Sequence, residues 1–359
     1  MIMQKFYLLT ISILLSTFLI LLMHQGCNNT NKAKSDNSTE GFTFKEKLSD
    51  YGFFKGNLKN LEPVKGVIRY DLSTPLFTDY AIKDRFIVLP HGKQINYRAS
   101  GPLEFPDSSI IIKNFAYTNE AHQKIMIETR LLVKDPKNKK WIVMNYLWNK
   151  EQTDAIRHIT GAKVPITLLD ENGNKHVTNY MVPNTNDCKR CRTDNDTLTP
   201  IGPKARNLNF ILKDQMNNQL TKWTLEGILV GLPEISKVAQ LPVWTDSKHY
   251  SLEKRARAYL DINCAHCHTK GGDAFNTGLF LDYEENNPNH LGIKKAPVSA
   301  GGGAGGLDFD IIPGNPTQSI LLHRMNSVEP GTAMPELART IIHKEGVALI
   351  REWIQQLPQ

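Results

Sequence analysis

The apolar residues of this chain change their spacing along its length. From Gly41 to Pro183 they come in short β-branched or aromatic runs separated by turn residues: Val64 to Tyr70, Arg85 to Leu89, Ile110 to Tyr117, Lys124 to Val133, Trp141 to Trp148 and Lys163 to Leu169. Runs of this length and composition predict strands. Asp170-Glu171-Asn172-Gly173-Asn174 stands between Val164–Leu169 and His176–Met181, and Asn-Gly tolerates the positive φ of a tight hairpin turn. Strands separated by turns predict an antiparallel sandwich or barrel-like domain over 43–183.

Residues 184–207 are turn-rich, and from Leu208 to Val230 the grammar becomes more helical. Phe210, Met216, Leu220, Trp223 and Leu225 offer a packing face that Gly231 and Pro233 end. Ser251 can cap a helix in which Leu252, Ala256, Tyr259 and Leu260 recur at three- and four-residue spacing. Val347, Ile350, Trp353, Ile354 and Leu357 predict a closing amphipathic helix stopped by Pro358. The expected division is therefore 43–183 for the β-rich domain, 184–248 for a turn-rich and helical connector, and 249–359 for a helical domain.

The first 27 residues follow neither pattern. A basic start at Lys5 precedes an apolar stretch from Phe6 to Met23 and then His24-Gln25-Gly26-Cys27, the form of an export signal. Residues 28–42 begin Asn/Ser/Lys/Thr-rich and predict a flexible tether.

Composition adds exclusions. At 359 residues with 40% hydrophobic and 22% charged side chains, the chain is neither disordered nor a multi-span membrane protein. A net charge of +7 is spread thinly, without the Lys/Arg run of a nucleic-acid arm, so no nucleic-acid partner is expected.

The five cysteines carry the chemistry. Cys264-Ala265-His266-Cys267-His268 matches CxxCH, the signature of covalent haem c attachment. At this chain's Cys and His frequencies the number of chance matches is about 0.002. Cys264 and Cys267 can each add a thiol across one haem vinyl group, and His268 is then placed to donate a ring nitrogen to iron. His266, between the cysteines, is expected to point away towards solvent or an outer shell. A second axial ligand should come from later in the chain, and Gly331-Thr332-Ala333-Met334-Pro335 offers the Met334 thioether. Met325, His323 and His290 are its competitors.

Cys188-Lys189-Arg190-Cys191-Arg192 has the same spacing, but Arg192 carries no lone pair to give to iron. A Cys188–Cys191 disulfide is expected there in an oxidising compartment; zinc would need two further ligands that no second motif supplies. Gly301 to Gly306 lacks the Lys-Ser/Thr of a phosphate-binding loop and predicts a surface loop. Glu151, Asp154 and His158 have no distinctive ligand spacing and predict solvated loop charges.

Two resemblances follow from these residues. Gly26-Cys27 resembles a bacterial lipobox, which implies a lipidated Cys27 and a body held at the cell envelope or periplasm; His24 stands where Leu is usual, so an uncleaved anchor and ordinary cleavage stay open. The stretch from Ser251 to Leu357 resembles a class I c-type cytochrome domain through its leading helix, CxxCH, Ile312-Pro313-Gly314-Asn315-Pro316, Ser319 to Met325, Met334-Pro335 and closing helix. That resemblance implies an all-α fold around one covalent haem c, with electron transfer to and from a redox partner protein or small donor as the usual role. The expected function is thus an exported, membrane-tethered electron carrier. A haem-containing oxidoreductase whose β domain binds substrate, and a haem-based redox or gas sensor, are the alternatives.

Overall fold

The computed structural model describes residues 40–359 apart from 171, 192, 196, 214 and 338. The export-signal stretch, Cys27 and most of the expected tether lie outside the described residues.

Six strands form one antiparallel sheet in sequence order: β1 (Val67–Tyr70), β2 (Ile82–Val88), β3 (Ile110–Thr118), β4 (Lys124–Lys134), β5 (Trp141–Trp148) and β6 (Ala155–His158). A register shift between Phe115 and Ala116, which pair with Glu128 and Met126, marks a bulge at Ile127 in β4. The sheet is covered on both faces, which is why β3 opens on the unbroken run Ile110-Ile111-Ile112. Ile110 and Ile112 join Phe86, Leu131 and Trp148 beneath the incoming chain, where Leu48, Phe53, Phe54 and Leu61 pack. Ile111 turns to the opposite face with Ile87, Leu132 and Val143, against Cys188, Leu208, Leu220 and Trp223.

A separate hairpin pairs β7 (Ala162–Leu169) with β8 (Lys175–Val182) in antiparallel register. Its turn is held by the Asp170 carboxylate, which accepts the amides of Asn172 and Asn174 at 2.9 and 2.8 Å, while Gly173 takes φ +79°. Ile166, Leu168, Tyr180 and Val182 seal this hairpin onto Phe115, Tyr117 and Ile127.

Six α-helices occur among the described residues: α1 (Thr185–Arg190), α2 (Ala205–Leu208), α3 (Gln219–Leu225), α4 (Leu252–Asn263), α5 (Ile320–Met325) and α6 (Lys344–Gln356). Asn184 caps α1, accepting from Asn186 and Asp187 while Asp187 returns the bond to its backbone. Ser251 caps α4 as its position predicts, and α4 crosses α6. The crossing is close because residue 346 is glycine: a Cβ there would come within 2.2 Å of the Tyr259 hydroxyl. Around it Leu260, Ile311, Leu322, Val347, Ile350, Trp353 and Ile354 form the C-terminal core.

Two expectations need correction. The six-stranded sheet does not close into a barrel, since β1 and β6 each have one neighbour and do not pair with each other, and it meets helical segments and the two-stranded β7–β8 hairpin rather than a second large sheet of a sandwich. Nor is 249–359 an all-α domain of the class I cytochrome kind. The chain is β-rich, and the described residues of that region hold three α-helices, α4, α5 and α6, of 12, 6 and 13 residues, among short 3-10 turns and irregular backbone. Glycines, prolines and asparagines at 271–272, 286–289, 301–303, 305–306, 313–316 and 331 interrupt the periodic segments, and such residues favour turns over helix.

Contacts across residue 248 place the cysteine motif. Residues 40–359 form one compact unit. The buried Asp79 carboxylate accepts the Thr340 and Ile341 amides, each at 3.0 Å, and the Thr340 hydroxyl at 2.7 Å. The Arg206 guanidinium reaches the buried Asp261 carboxylate at 2.6 Å, and the Phe77 amide donates to Asn263 Oδ1 at 2.8 Å. Asp261 and Asn263 belong to α4, so the helix that ends at Cys264 is held from the β-rich side.

Candidate metal and cofactor centre

CxxCH continues the last turn of α4. The Leu260 carbonyl accepts the amides of both Cys264 and Ala265, at 2.9 and 3.1 Å, and the Cys264 carbonyl accepts those of Cys267 and His268, at 3.1 and 2.9 Å. The tight winding places both thiols and the following imidazole within a single five-residue turn. The chain then reverses at Gly271-Gly272, where a Cβ on Gly272 would come within 2.3 Å of the Cys267 carbonyl oxygen.

His268 is desolvated and oriented. Burial, with His266 adding to it, pushes its imidazole down to about 4, so the ring is neutral and keeps a lone pair at ordinary pH. Nδ1 faces the Thr277 hydroxyl at 3.5 Å, and the His268 carbonyl accepts the Leu281 amide at 2.9 Å. A ring held by Nδ1 presents Nε2, the arrangement in which a histidine ligates a metal. Cys264 packs against the C-terminal core, and burial pushes its thiol up to about 12.

Met334 lies on the loop that follows α5. Its amide donates to the Arg324 carbonyl at 3.0 Å, and Arg324 Nε donates to the Thr332 carbonyl at 2.9 Å, so α5 fixes the loop from both sides. The glycine-rich stretch forms part of this support: Gly301–Ala304 is a 3-10 turn, and Gly303 is buried where a Cβ would meet the Gly331 carbonyl at 2.6 Å. Of the competing ligands, Met325 is buried in the core, Gly305 packs against the His323 ring, and His290 Nδ1 bonds Glu285 at 2.9 Å. Asp154 and His158 are engaged separately, with Ser49 and with the Gly161 carbonyl, and form no common cluster with Glu151 among the described residues.

The second CxxC pair is split between two environments. Cys188 points into the core, its thiol 3.7 Å from Asn145 Oδ1, and no disulfide joins it to Cys191. Cys191, at the end of α1, turns to the CxxCH turn and contacts the Cys267 thiol, a contact that together with burial raises the Cys267 pKa. The Cys191 thiol, the Cys267 thiol and a ring nitrogen of His266 all lie within 4.8 Å of one another. Flanking bonds pin the two segments together: Arg190 meets Asp273 at 3.0 Å, and the Asn195 amide donates to the Gly271 carbonyl at 3.0 Å.

No protein-family model, no curated protein and no solved structure matches the chain. The resemblance to class I c-type cytochromes therefore has neither the fold nor a family match behind it. The motif itself, with the local geometry around it, is what bears on function. The described residues hold no helix long and apolar enough to cross a membrane.

Two features of this centre escaped the sequence. His266 is turned inward, its Nδ1 buried without a hydrogen-bond partner among the described residues. Cys191 reaches CxxCH although 72 residues of chain separate it from Cys264. The only trace in the sequence was that both segments carry the same CxxC spacing.

Proposed function

We propose that the chain carries one covalent haem c on Cys264 and Cys267 and passes single electrons to a redox partner at the cell envelope. One observation carries the reading: CxxCH lies in a single wound turn at the end of α4, with its histidine half-buried, neutral and oriented through Nδ1.

The residues suit that group. Cys264 and Cys267 are not joined to each other, so both sulfurs are open to thioether formation. His268 would offer the iron a neutral imidazole, and Met334, on a loop fixed by Arg324 and backed by Gly303, would offer it a thioether. When bound, haem supplies a one-electron redox couple. The protein's part is to carry the two donor residues on separate, braced segments, to pack the core around Leu260, Leu322 and Ile350 beside them, and to orient His268 through the Thr277 contact. Export and a lipid tether at Cys27 belong to the same reading, since covalent attachment keeps the cofactor on a secreted chain.

Absorption spectroscopy of the full chain made with the haem-attachment machinery tests this. A reduced α-band that survives denaturation and organic extraction is expected, and its absence ends the reading. Met334→Leu is expected to keep the covalent haem while lowering the reduction potential, because a thioether ligand raises it.

A further inference from the structure

The trio at the junction of the two CxxC segments has the composition of a metal site. Two thiols and an imidazole lie within 4.8 Å of one another, and no sequence motif links them. A zinc-like ion holds sulfur at about 2.3 Å and nitrogen at about 2.0–2.1 Å, so ligand atoms around it stand roughly 3.5–4 Å apart. The trio needs only a small contraction to reach that spacing. The second observation is independent of distance: His266 Nδ1 is buried and has no hydrogen-bond partner among the described residues. A buried ring nitrogen in that state carries a desolvation cost that a bound cation would remove.

The segments that bring the trio together are braced, so the site is not an accident of two mobile loops. Arg190 is paired with Asp273, Asn195 bonds Gly271, and α1 is capped at its start by Asn184. Gly271 permits the approach, since a Cβ there would come within 2.7 Å of the Asn195 side chain.

We infer that in the chain before haem attachment Cys191, His266 and Cys267 bind one thiophilic divalent cation of the zinc type, with a water in the fourth position. Binding releases the two thiol protons to solvent and leaves the metal's oxidation state unchanged. The site shares one atom with the proposed haem anchor, the Cys267 sulfur. A thioether is a far weaker ligand than a thiolate, so cation and haem are alternative occupants, and a loaded cation withholds Cys267 from attachment. Only this exclusivity rests on the haem reading; the cation site stands on the trio alone.

Cobalt(II) is the probe, added under a non-thiol reductant to the full chain made without haem-attachment machinery. One equivalent is expected to produce the intense visible bands of tetrahedral cobalt with thiolate charge transfer, and one equivalent of zinc to abolish them. Cys191→Ser and His266→Asn, on separate segments, should each weaken binding by about tenfold or more, whereas Cys188→Ser should not. Tetrahedral bands absent from the wild-type chain, or equal binding by Cys191→Ser and His266→Asn, would overturn the site. Circular dichroism of each variant separates lost ligation from lost folding, and the wild-type result stands whichever variant fails to fold. The haem-bearing chain should give no such bands; if it binds cobalt equally, the shared sulfur is wrong while the haem reading survives. A chain that never takes haem but shows the bands ends the haem reading and leaves the cation site intact.

Discussion

Asn263 Oδ1 accepts the amide of Phe77 at 2.8 Å, and the same side chain donates through Nδ2 to the Tyr259 carbonyl at 3.0 Å. The residue immediately before the first cysteine of CxxCH is thereby tied both to its own helix and to the loop between β1 and β2. Removing that side chain leaves the Phe77 amide without its acceptor in a site that is 4% exposed at Asn263. Asn263→Ala should cost about 1–3 kcal/mol. Urea unfolding monitored by tryptophan fluorescence reads the loss as a lower midpoint with an unchanged slope.

The crossing of α4 and α6 depends on the missing side chain at residue 346. A Cβ there would come within 2.2 Å of the Tyr259 hydroxyl and 2.4 Å of the ring carbon that bears it. The tyrosine cannot simply swing aside, because its hydroxyl pairs with His343 Nδ1 at 2.9 Å. Gly346→Ala gains helix propensity yet should lower stability by about 1–3 kcal/mol through overpacking. Thermal melting against wild type checks the sign; a stabilised variant would show that Tyr259 has room to move.

Much of the β-rich part was legible, and these two contacts explain what was not. Strand periodicity and turn residues located β3, β4 and β5 within a residue or so, because each strand's pattern is local. The open sheet was not visible, since nothing local says whether β1 finds β6. Helix patterns placed α4 and α6, but they could not show that the residues between them adopt irregular backbone. The same limit applies to the centre. CxxCH is a contiguous signal, whereas Cys191, His266 and Cys267 meet only through tertiary pairing of Arg190 with Asp273 and Asn195 with Gly271.

Asp261 gives a test of the charged contacts beneath α4. Burial alone would push its carboxyl up, but Lys204, Arg206 and the Tyr283 amide hold it below the usual carboxylate range. Arg206→Met removes the closest cation and leaves a carboxylate whose side chain is 1% exposed. The expected loss is about 3–5 kcal/mol, the size typical of breaking a buried pair from one side. The double variant Arg206→Met with Asp261→Asn should recover part of it, and equal destabilisation of single and double variants would place the cost elsewhere.

His343 sets an acid limit on stability. Its ring stacks on Phe77 at 4.0 Å between centroids, contacts Trp244 and Tyr259, and faces Lys83, Arg339 and the Glu345 carboxylate. Burial, helped by Lys83 and Arg339, pushes its pKa down to about 3. The unfolded chain, with an ordinary histidine near 6.5, therefore binds the proton first. Between about pH 6.5 and 3 this group makes stability fall as pH falls, by up to about 1.4 kcal/mol per pH unit; above about pH 7 it contributes no slope. Comparing wild type with His343→Gln in chemical denaturation from pH 4 to 8 isolates the effect. A difference between the two that is flat across that range would contradict it.

The haem proposed at CxxCH is covalent, so it would travel with the unfolded chain. Intact mass after denaturation, for full chain produced with and without the haem-attachment machinery, reads it without spectroscopy. A mass increase of a single haem is expected only with the machinery present, lost in Cys264→Ala/Cys267→Ala and retained in Cys188→Ser. An unmodified mass in the presence of active machinery would show that CxxCH carries no covalent haem.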